Sequence, residues 1–435
     1  MTSINLGALP ASAVSAQQES RVKAWGFTLL LVFLFVVNWA DKAVLGLVAQ
    51  PLGQELHLTA SQIGLVGSGF FLAYAIGGFL AGPINKWMAM RWSLVVLALV
   101  WAACMLPLLV VANFGVLLIS RVALGLAEGP SGALIYTGVY SWHPVEKRGL
   151  PGACVAGAAS IAKIALAPAL AVVIAAWGWR AAFLTLGIIG VAWCGIWLLS
   201  WREGPYGELR EGKRPAPGGP VRQPSVRWLS IFCTPTFLGA LAAVFAMYAV
   251  VTVILTWLPS YFEVGLGYSR LHAGTMFGFP SIAALSAMAL SAFVGDRLIA
   301  RRASTRILRG VLPALGLLLC GLAMVALPYV RHPAVAVLVV SLGYGMGTIV
   351  FPLLNAAISQ ICPPQQLAGT LGVFLAVMSV GGIIAPYLTG RIVDASSPAA
   401  GFALAFQIFG ALSVLCAVIA LLTVNPERDA ARVMG

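Results

Sequence analysis

Residues Phe27 to Ala49 read FTLLLVFLFVVNWADKAVLGLVA. This run of 23 residues would extend about 34 Å as an α-helix, which is enough to cross the ~30 Å hydrocarbon core of a bilayer. Apolar runs of similar length, separated by short loops, recur from residue 24 almost to residue 423. The pattern predicts an all-α membrane protein with about twelve transmembrane helices.

The composition of the chain also points to a bilayer. Of its 435 residues, 60% are hydrophobic and only 9% are charged, and the mean hydropathy is +0.96. Soluble domains are usually about a quarter charged, so these values exclude a water-soluble globular enzyme. The seven cysteines form no CxxC pair and mostly lie inside apolar runs, which indicates packing residues rather than metal ligands or disulfides. No cofactor or metal is predicted.

The formal charge of +13 could suit a nucleic-acid-binding protein, so the positions of the 26 Lys and Arg residues matter. With the N-terminus in the cytoplasm, nineteen of them fall in cytoplasmic segments, four in loops on the opposite side and three within helices. By the positive-inside rule, this asymmetry places both termini in the cytoplasm. The basic excess therefore indicates a multi-pass topology in the cell (inner) membrane, with lipid as a partner and no role for nucleic acid.

A linker divides the predicted helices into two sets of six. After Trp201 the chain becomes rich in Pro, Gly, Arg, Glu and Lys without apolar periodicity, which is typical of a flexible cytoplasmic linker. Its six basic residues could instead form a lipid-binding patch. The first twenty residues have no Lys or Arg and no apolar core, so they predict a tail and not a cleaved signal. The predicted organisation is a cytoplasmic tail at 1–23, a six-helix bundle at 24–201, the linker at 202–230, a second six-helix bundle at 231–424 and a cytoplasmic tail at 425–435.

The two predicted bundles resemble each other in backbone pattern but not in charge. The motif Arg-x3-Gly-x2-Glu at 121–128 aligns with Ser-x3-Gly-x2-Thr at 341–348, and a shared proline register places Lys163 opposite Gly381. Such weak self-similarity is expected of a transporter built from two pseudo-symmetric bundles, with its site at their interface near mid-membrane.

Five charged residues lie inside predicted helices of the first bundle: Asp41, Lys42, Arg121, Glu128 and Lys163. A charge at helix centre costs roughly 2.5–3.5 kcal/mol even on the lenient insertion scale, so the group needs an explanation. Three bases against two acids leave the site net positive, which an anion would balance, and a carboxylate suits such a site. The alternative is a set of buried ion pairs that only lock the bundle.

The two acids are candidates for proton exchange. Glu128 and Asp41 lie near mid-membrane, where each could be protonated and deprotonated as access alternates between the two sides. None of the four histidines lies within a predicted helix, so a histidine relay is not expected.

The second bundle has no charged residue deep in a helix. Its candidate cavity residues are polar or aromatic: Tyr248, Thr256, Tyr344, Thr348, Asn355 and Ser379. Of these we predict Tyr248, Asn355 and Ser379 as substrate contacts, although residues of these types in membrane helices more often serve helix packing. So few polar groups favour an aromatic or short aliphatic acid over a polyhydroxylated sugar acid.

Several short motifs, in order and at the proper spacing, resemble one family. They are Asn-Trp-Ala-Asp-Lys at 38–42, Arg-x3-Gly-x2-Glu at 121–128, Gly-Trp-Arg-x-x-Phe at 178–183 and Trp-Leu-Pro-x-Tyr at 257–261. On these motifs the chain resembles the major facilitator superfamily, and within it the anion:cation symporter branch of bacterial sugar-acid importers and vesicular organic-anion carriers. The resemblance covers about residues 22–425.

The resemblance implies roles for four residues of the first bundle. Asp41 and Glu128 would carry the coupling protons, and Lys42 and Tyr74 would face the substrate. Lys42 stands where the branch has arginine, so the charge is kept but the planar bidentate fork is lost.

The resemblance also implies gating loops on the cytoplasmic side. In the loop after helix two, Gly82 and Arg91 match the superfamily pattern, whereas Lys86 replaces its acidic residue. The equivalent loop after helix eight keeps Asp296 and Arg297.

We therefore expect a proton-coupled importer of a small organic carboxylate, functional as a monomer, that works by alternating access between the two bundles. The carboxylate would lie among Lys163, Arg121 and Lys42, with Tyr74 contributing a hydroxyl. An organic-anion exchanger, an efflux carrier and a sugar-acid importer on the same scaffold are alternatives. A membrane-embedded enzyme or sensor would need a catalytic or metal cluster within the helices, or a sizeable soluble domain, and the sequence shows neither.

Overall fold

The computed structural model describes residues 11–143, 149–202, 204, 226–300, 304–330, 332–363 and 366–434, and for 11–21, 292–300, 368 and 434 the backbone alone. Twelve helical segments within these residues are long and apolar enough to cross a bilayer, and no described residue lies in a strand. The prediction of an all-α protein with twelve spans is confirmed. In chain order, spans 1 to 12 are Val22–Leu56, Ala60–Gly78, Met90–Val110, Phe114–Tyr140, Leu150–Trp177, Trp179–Ser200, Pro235–Gly265, Arg270–Ser291, Ile307–Tyr329, Pro333–Ile361, Gly369–Asp394 and Pro398–Thr423.

With twelve spans, both ends of the described chain lie at the same side of the bundle, which we call the terminal face; the opposite side is the distal face. Within the first six spans, small residues allow close packing. A Cβ added at Gly129 of span 4 would lie only 2.5 Å from the backbone nitrogen of Gly78 in span 2. Span 2 therefore packs backbone-to-backbone against span 4, the typical role of small residues between membrane helices.

The first and second halves meet most closely toward the distal face, where span 2 lies against span 11. The Asp394 carboxylate at the end of span 11 accepts hydrogen bonds from the backbone N–H groups of Ala60 and Ser61, each at 2.8 Å, and from the Ser61 hydroxyl. About two helical turns deeper, the Tyr387 N–H donates to the Ser68 hydroxyl at 3.1 Å. The Asp394 contact is an anionic cap on the N-terminus of span 2 and joins the two halves.

The terminal half of span 11 is much less covered. Three consecutive residues, Leu375, Ala376 and Val377, are all exposed. Consecutive helical residues point about 100° apart, so this turn is bare over most of its circumference. The described halves are thus joined at the distal face and separated along this part of span 11.

The Asp394 cap leads to a prediction about this closure. We expect Asp394→Asn to weaken the contact between the two halves at the distal face, because the amide has no charge to interact with the N-terminus of span 2. The expected loss is about 1 kcal/mol, or a fivefold shift in population away from the state in which this contact is made. Spin labels at His57 and Ser396, in a cysteine-free background, would report the change as a larger long-distance fraction in pulsed electron resonance. The control is Glu55→Gln, which removes a distal-face carboxylate paired with Trp179 and Arg180 of its own half. Identical distance distributions for wild type and Asp394→Asn would show that Asp394 does not hold the two halves together at the distal face.

The predicted tails and linker are only partly described. The helix that contains span 1 begins at Ala11, inside the predicted tail at 1–23, and most of the predicted linker at 202–230 lies outside the described residues. The predicted C-terminal tail is a helix, Pro426–Met434, whose buried Asp429 accepts a hydrogen bond from the Thr236 N–H at 2.9 Å. Burial raises the pKa of the Asp429 carboxyl, but hydrogen bonds from Arg428 and Thr236 outweigh burial and hold the pKa below its ordinary value. This segment therefore packs onto the start of span 7, and the two-bundle boundaries stay a prediction.

Candidate functional site

A buried ion pair between span 1 and span 4 forms the centre of the site. The Lys42 ammonium lies 2.7 Å from Oε2 of Glu128, and both side chains are almost completely buried. The same ammonium donates to the Asn38 side-chain oxygen at 2.5 Å and to the Asn38 backbone carbonyl at 3.2 Å. An ammonium has three N–H donors, so Lys42 has no donor left for a further ligand in this state.

Glu128 owes its position to a break in span 4. The helix Phe114–Glu128 ends at this residue and a second helix, Ser131–Tyr140, follows. Pro130 between them has no backbone N–H and cannot continue the hydrogen-bond ladder. The Ser131 hydroxyl donates to the Glu128 backbone carbonyl at 2.5 Å and accepts from the Asn38 amide at 3.3 Å. Ser131 at the break therefore links the Glu128 backbone to Asn38, which also accepts a hydrogen bond from Lys42.

Aromatic rings enclose the ammonium of Lys42. It lies 4.6 Å from the ring centroid of Tyr74, 5.2 Å from that of Trp39 and 5.7 Å from that of Phe70. Each ring offers its negative face to a cation, and such contacts gain strength where water is absent. The predicted substrate residue Tyr74 therefore contacts Lys42 through its ring.

Arg121 and Asp41 are the other two charged residues of the cluster, and the side chain of Arg121 contacts the backbone of Asp41. The Arg121 Nη1 donates to the backbone carbonyl of Asp41 at 2.8 Å, and its guanidinium lies 5.0 Å from the ring centroid of Phe183. The buried atoms Arg121 Nη2, Asp41 Oδ1 and Glu128 Oε1 have no hydrogen-bond partner among the described residues. Unpaired buried polar atoms are costly, and these three all belong to the charged residues of spans 1 and 4.

Lys163 stands apart from this cluster. It lies in a turn of π-helix, Ala162–Leu166, within span 5. Pro168 follows closely and cannot donate a helical hydrogen bond, which is a local reason for the irregular turn. The Lys163 ammonium donates to the Tyr344 hydroxyl of span 10 at 3.0 Å and lies 5.0 Å from the centroid of the Tyr344 ring. No carboxylate of the described residues lies within 4.0 Å of it.

The structure thus gathers Asp41, Lys42, Tyr74, Arg121 and Glu128 into one cluster and places Lys163 across the interface between the halves. The sequence predicts that one substrate carboxylate lies among Lys163, Arg121 and Lys42. In the structure these three side chains do not form a single ring of free donors, because Lys42 and Arg121 already donate to protein groups. Their roles in substrate binding stay predictions.

The other predicted substrate contacts line the second half. Tyr248 lies beside Phe71, with ring centroids 6.4 Å apart, so it faces span 2. Asn355 has a buried side-chain oxygen without a described partner, and Ser379 donates to the backbone carbonyl of Leu375 at 2.9 Å. Asn355 therefore has an acceptor free for a ligand, whereas the hydroxyl proton of Ser379 is already used.

The predicted gating residues show fewer contacts. Arg91 donates to the Leu198 carbonyl at 2.5 Å, a contact within the first half, and a Cβ added at Gly82 would meet nothing within 4 Å. Asp296 and Arg297 lie in the helix Phe279–Ala300, and their side chains lie outside the described part of the structure. Their gating roles remain predictions.

Sequence reasoning missed Asn38 and Ser131 as parts of the site. A usable signal existed for both, since Asn38 is four residues before Lys42 and Ser131 three after Glu128, spacings at which helical side chains meet. It also treated Tyr344 only as one of several cavity candidates.

A sequence profile described as the Major Facilitator Superfamily matches residues 31–350 and, in a second match, 303–433. The chain belongs to the major facilitator superfamily. As a member it is a transporter and not an enzyme. Its relatives include the hexuronate transporter of Bacillus subtilis, 28% identical over 91% of this chain and 94% of that protein. Another is a probable sulfoacetate transporter of Cupriavidus necator, 25% identical over 91% of this chain and 93% of that protein.

Solved structures of this superfamily share the fold. A bacterial homolog of the human lysosomal transporter Spinster, crystallised in an inward-facing and unoccupied conformation, superposes with a TM-score of 0.78 at 18% identity, covering 94% of this chain and 98% of that one. A D-xylose-proton symporter gives a TM-score of 0.73 at 17% identity, covering 93% of this chain and 99% of that one. At these identities the likeness concerns the fold alone.

Proposed function

We propose that this transporter imports a small organic carboxylate together with protons. The observation that carries the proposal is the charge balance of the buried site. Glu128 is paired with Lys42, and Asp41 lies against Arg121, while Lys163 has no carboxylate within 4.0 Å among the described residues. A buried charge without a partner costs several kcal/mol, which an anionic substrate would offset.

The Lys42–Glu128 contact supports a route for coupling. When Glu128 takes up a proton from the distal side, its attraction for the Lys42 ammonium falls, and the positive charge of the site rises, which favours binding of a substrate anion. Return of the proton to the terminal side would restore the pair and expel the substrate. Asp41, whose Oδ1 is unpartnered, is the second proton carrier in this scheme.

The uneven contact between the halves supports alternating access. The distal cap made by Asp394 and the bare turn at 375–377 suit a state that is shut at the distal face and accessible from the terminal face. With the termini in the cytoplasm, as the distribution of Lys and Arg predicts, this is an inward-facing state.

Two substrate classes are supported by different observations. Aromatic rings around the cluster, among them Trp39, Phe70 and Tyr74, support an aromatic or short aliphatic acid. The second candidate is a sugar acid, supported by relatives named for hexuronate and, in Escherichia coli, L-galactonate.

Uptake into proteoliposomes tests the proposal. We expect an inwardly directed proton gradient alone to drive accumulation of at least one acid among benzoate, sulfoacetate, glucuronate and galactonate, and a protonophore to abolish it. Liposomes without protein are the control. Uptake that ignores the pH gradient but requires a preloaded internal anion would identify an exchanger, and proton-driven extrusion would identify an efflux carrier.

A further inference from the structure

The Lys163–Tyr344 contact is the one polar bridge near mid-membrane that joins span 5 to span 10 in the described residues. Lys163 is 6% exposed and Tyr344 is 3% exposed, so both polar groups are withdrawn from solvent. The lysine uses one of its three N–H donors on the tyrosine oxygen, and the tyrosine O–H proton has no acceptor among the described residues. Unused donors from both halves of the molecule therefore meet at one point.

The turn that carries Lys163 is held from the opposite half. Gly278 lies inside span 8, between the helices Arg270–Met276 and Phe279–Ala300. A Cβ added there would lie 2.9 Å from the Lys163 backbone carbonyl and 3.1 Å from the Ile164 Cα. The glycine thus brings the second half into direct backbone contact with the π turn. This packing limits the movement of the Lys163 backbone, as a selective site requires.

The rest of the charged cluster is balanced without a ligand. Lys42 is neutralised by Glu128, and the two remaining charges, on Asp41 and Arg121, are opposite and lie in neighbouring helices. While Glu128 and Asp41 are both ionised, the surplus is a single positive charge, and it resides on Lys163. One negative charge on the substrate would cancel it, whereas a dianion would leave a buried negative charge unbalanced.

We propose that Lys163 and Tyr344 form the subsite for the anionic group of the substrate, and that this subsite selects monoanions, monocarboxylates first, over dianions. The inference rests on the proposed function, because it assigns the carboxylate of that substrate to one place. The carboxylate accepts hydrogen bonds from the ammonium of the first half and the hydroxyl of the second, so a bound anion contacts both moving parts.

Binding to the purified full-length protein tests this without any gradient. Two matched pairs serve as probes, galactonate with galactarate and benzoate with phthalate, because each pair differs by a second carboxylate on a similar skeleton. Calorimetry or thermal shift at pH 7.5 should show a monoanion bound at least tenfold more tightly than its dianion. Equal or tighter binding of the dianion would overturn the selection for charge.

Substitutions then locate the subsite. We expect Lys163→Gln to weaken binding of the monoanion at least tenfold and Tyr344→Phe about threefold, with the double variant no worse than Lys163→Gln, since both act on one group. Lys86→Gln and Tyr387→Phe are the matched controls, because both are exposed residues of the same types, and they should leave binding unchanged.

A second readout guards against misfolding and separates the two proposals. Lys163→Gln removes an unbalanced buried charge, so the ligand-free variant should melt no lower than wild type, and its monoanion-to-dianion preference should disappear. If wild type binds monoanions but neither substitution matters, the subsite is wrong while carboxylate transport stands. If none of the four binding probes binds to wild type and none of the acids in the uptake assay is accumulated, the proposed function fails together with the subsite.

Discussion

Glu128→Gln is expected to abolish proton-driven accumulation while leaving some substrate exchange. Glutamine keeps an oxygen toward Lys42 but has no titratable proton, so it imitates a permanently protonated Glu128. The carrier could then bind and release substrate from either side without the proton step at Glu128 that controls its pairing with Lys42. For one proton per substrate and a gradient of two pH units, wild type can accumulate substrate up to about 100-fold, because each tenfold ratio corresponds to ~1.4 kcal/mol. The variant should reach a ratio of one.

The measurement compares two assays in the same proteoliposomes. Gradient-driven uptake should vanish in Glu128→Gln, whereas counterflow of labelled against unlabelled substrate at equal pH should persist within about tenfold of wild type. The matched control is Glu263→Gln, because Glu263 lies away from the cluster and pairs with Arg270 at 3.3 Å. Accumulation by Glu128→Gln at the wild-type ratio would remove this residue from the coupling scheme.

Lys42→Met is expected to destabilise the protein strongly. The substitution leaves the Glu128 carboxylate buried without its cation, and removal of one partner from a buried ion pair typically costs about 3–5 kcal/mol. The loss should be visible as a lower melting temperature in detergent and as abolished uptake. It should also be smaller at pH 5 than at pH 8, because at low pH the stranded carboxyl can become neutral by taking up a proton.

The double variant Lys42→Met/Glu128→Gln separates the pair from the packing of either residue. Since both charges are then absent, most of the lost stability should return, although transport should not. Lys42→Arg serves as the conservative control and should keep both the pairing and the melting temperature close to wild type. Equal melting temperatures for the single and the double variant would show that the ion pair does not govern stability.

Much of the architecture could be predicted because it depends on local properties. The twelve spans follow from the length and hydropathy of continuous segments, and the charged residues at 41, 42, 121, 128 and 163 are conspicuous wherever their neighbours are apolar. The cluster around Asp41 and Glu128 was foreseeable as a group from these residues alone. The orientation of the termini follows from the distribution of Lys and Arg and stays a prediction.

The pairing within the group could not be predicted in the same way. Lys42 and Glu128 are 86 residues apart and Lys163 and Tyr344 are 181 residues apart. Which base meets which acid depends on the rotation of each helix about its axis, and this is altered by the break after Glu128 and by the π turn at Lys163. A sequence pattern with a constant helical period contains neither irregularity.

Local chemistry is therefore enough to establish a twelve-span transporter with an excess of buried positive charge in its first half, because segment length, hydropathy and charge are properties of neighbouring residues. The location of that excess is a property of the folded chain. Packing between distant helices neutralises Lys42, engages Arg121 and leaves Lys163 facing Tyr344 of the other half, since distances between side chains exist only once the spans have assembled.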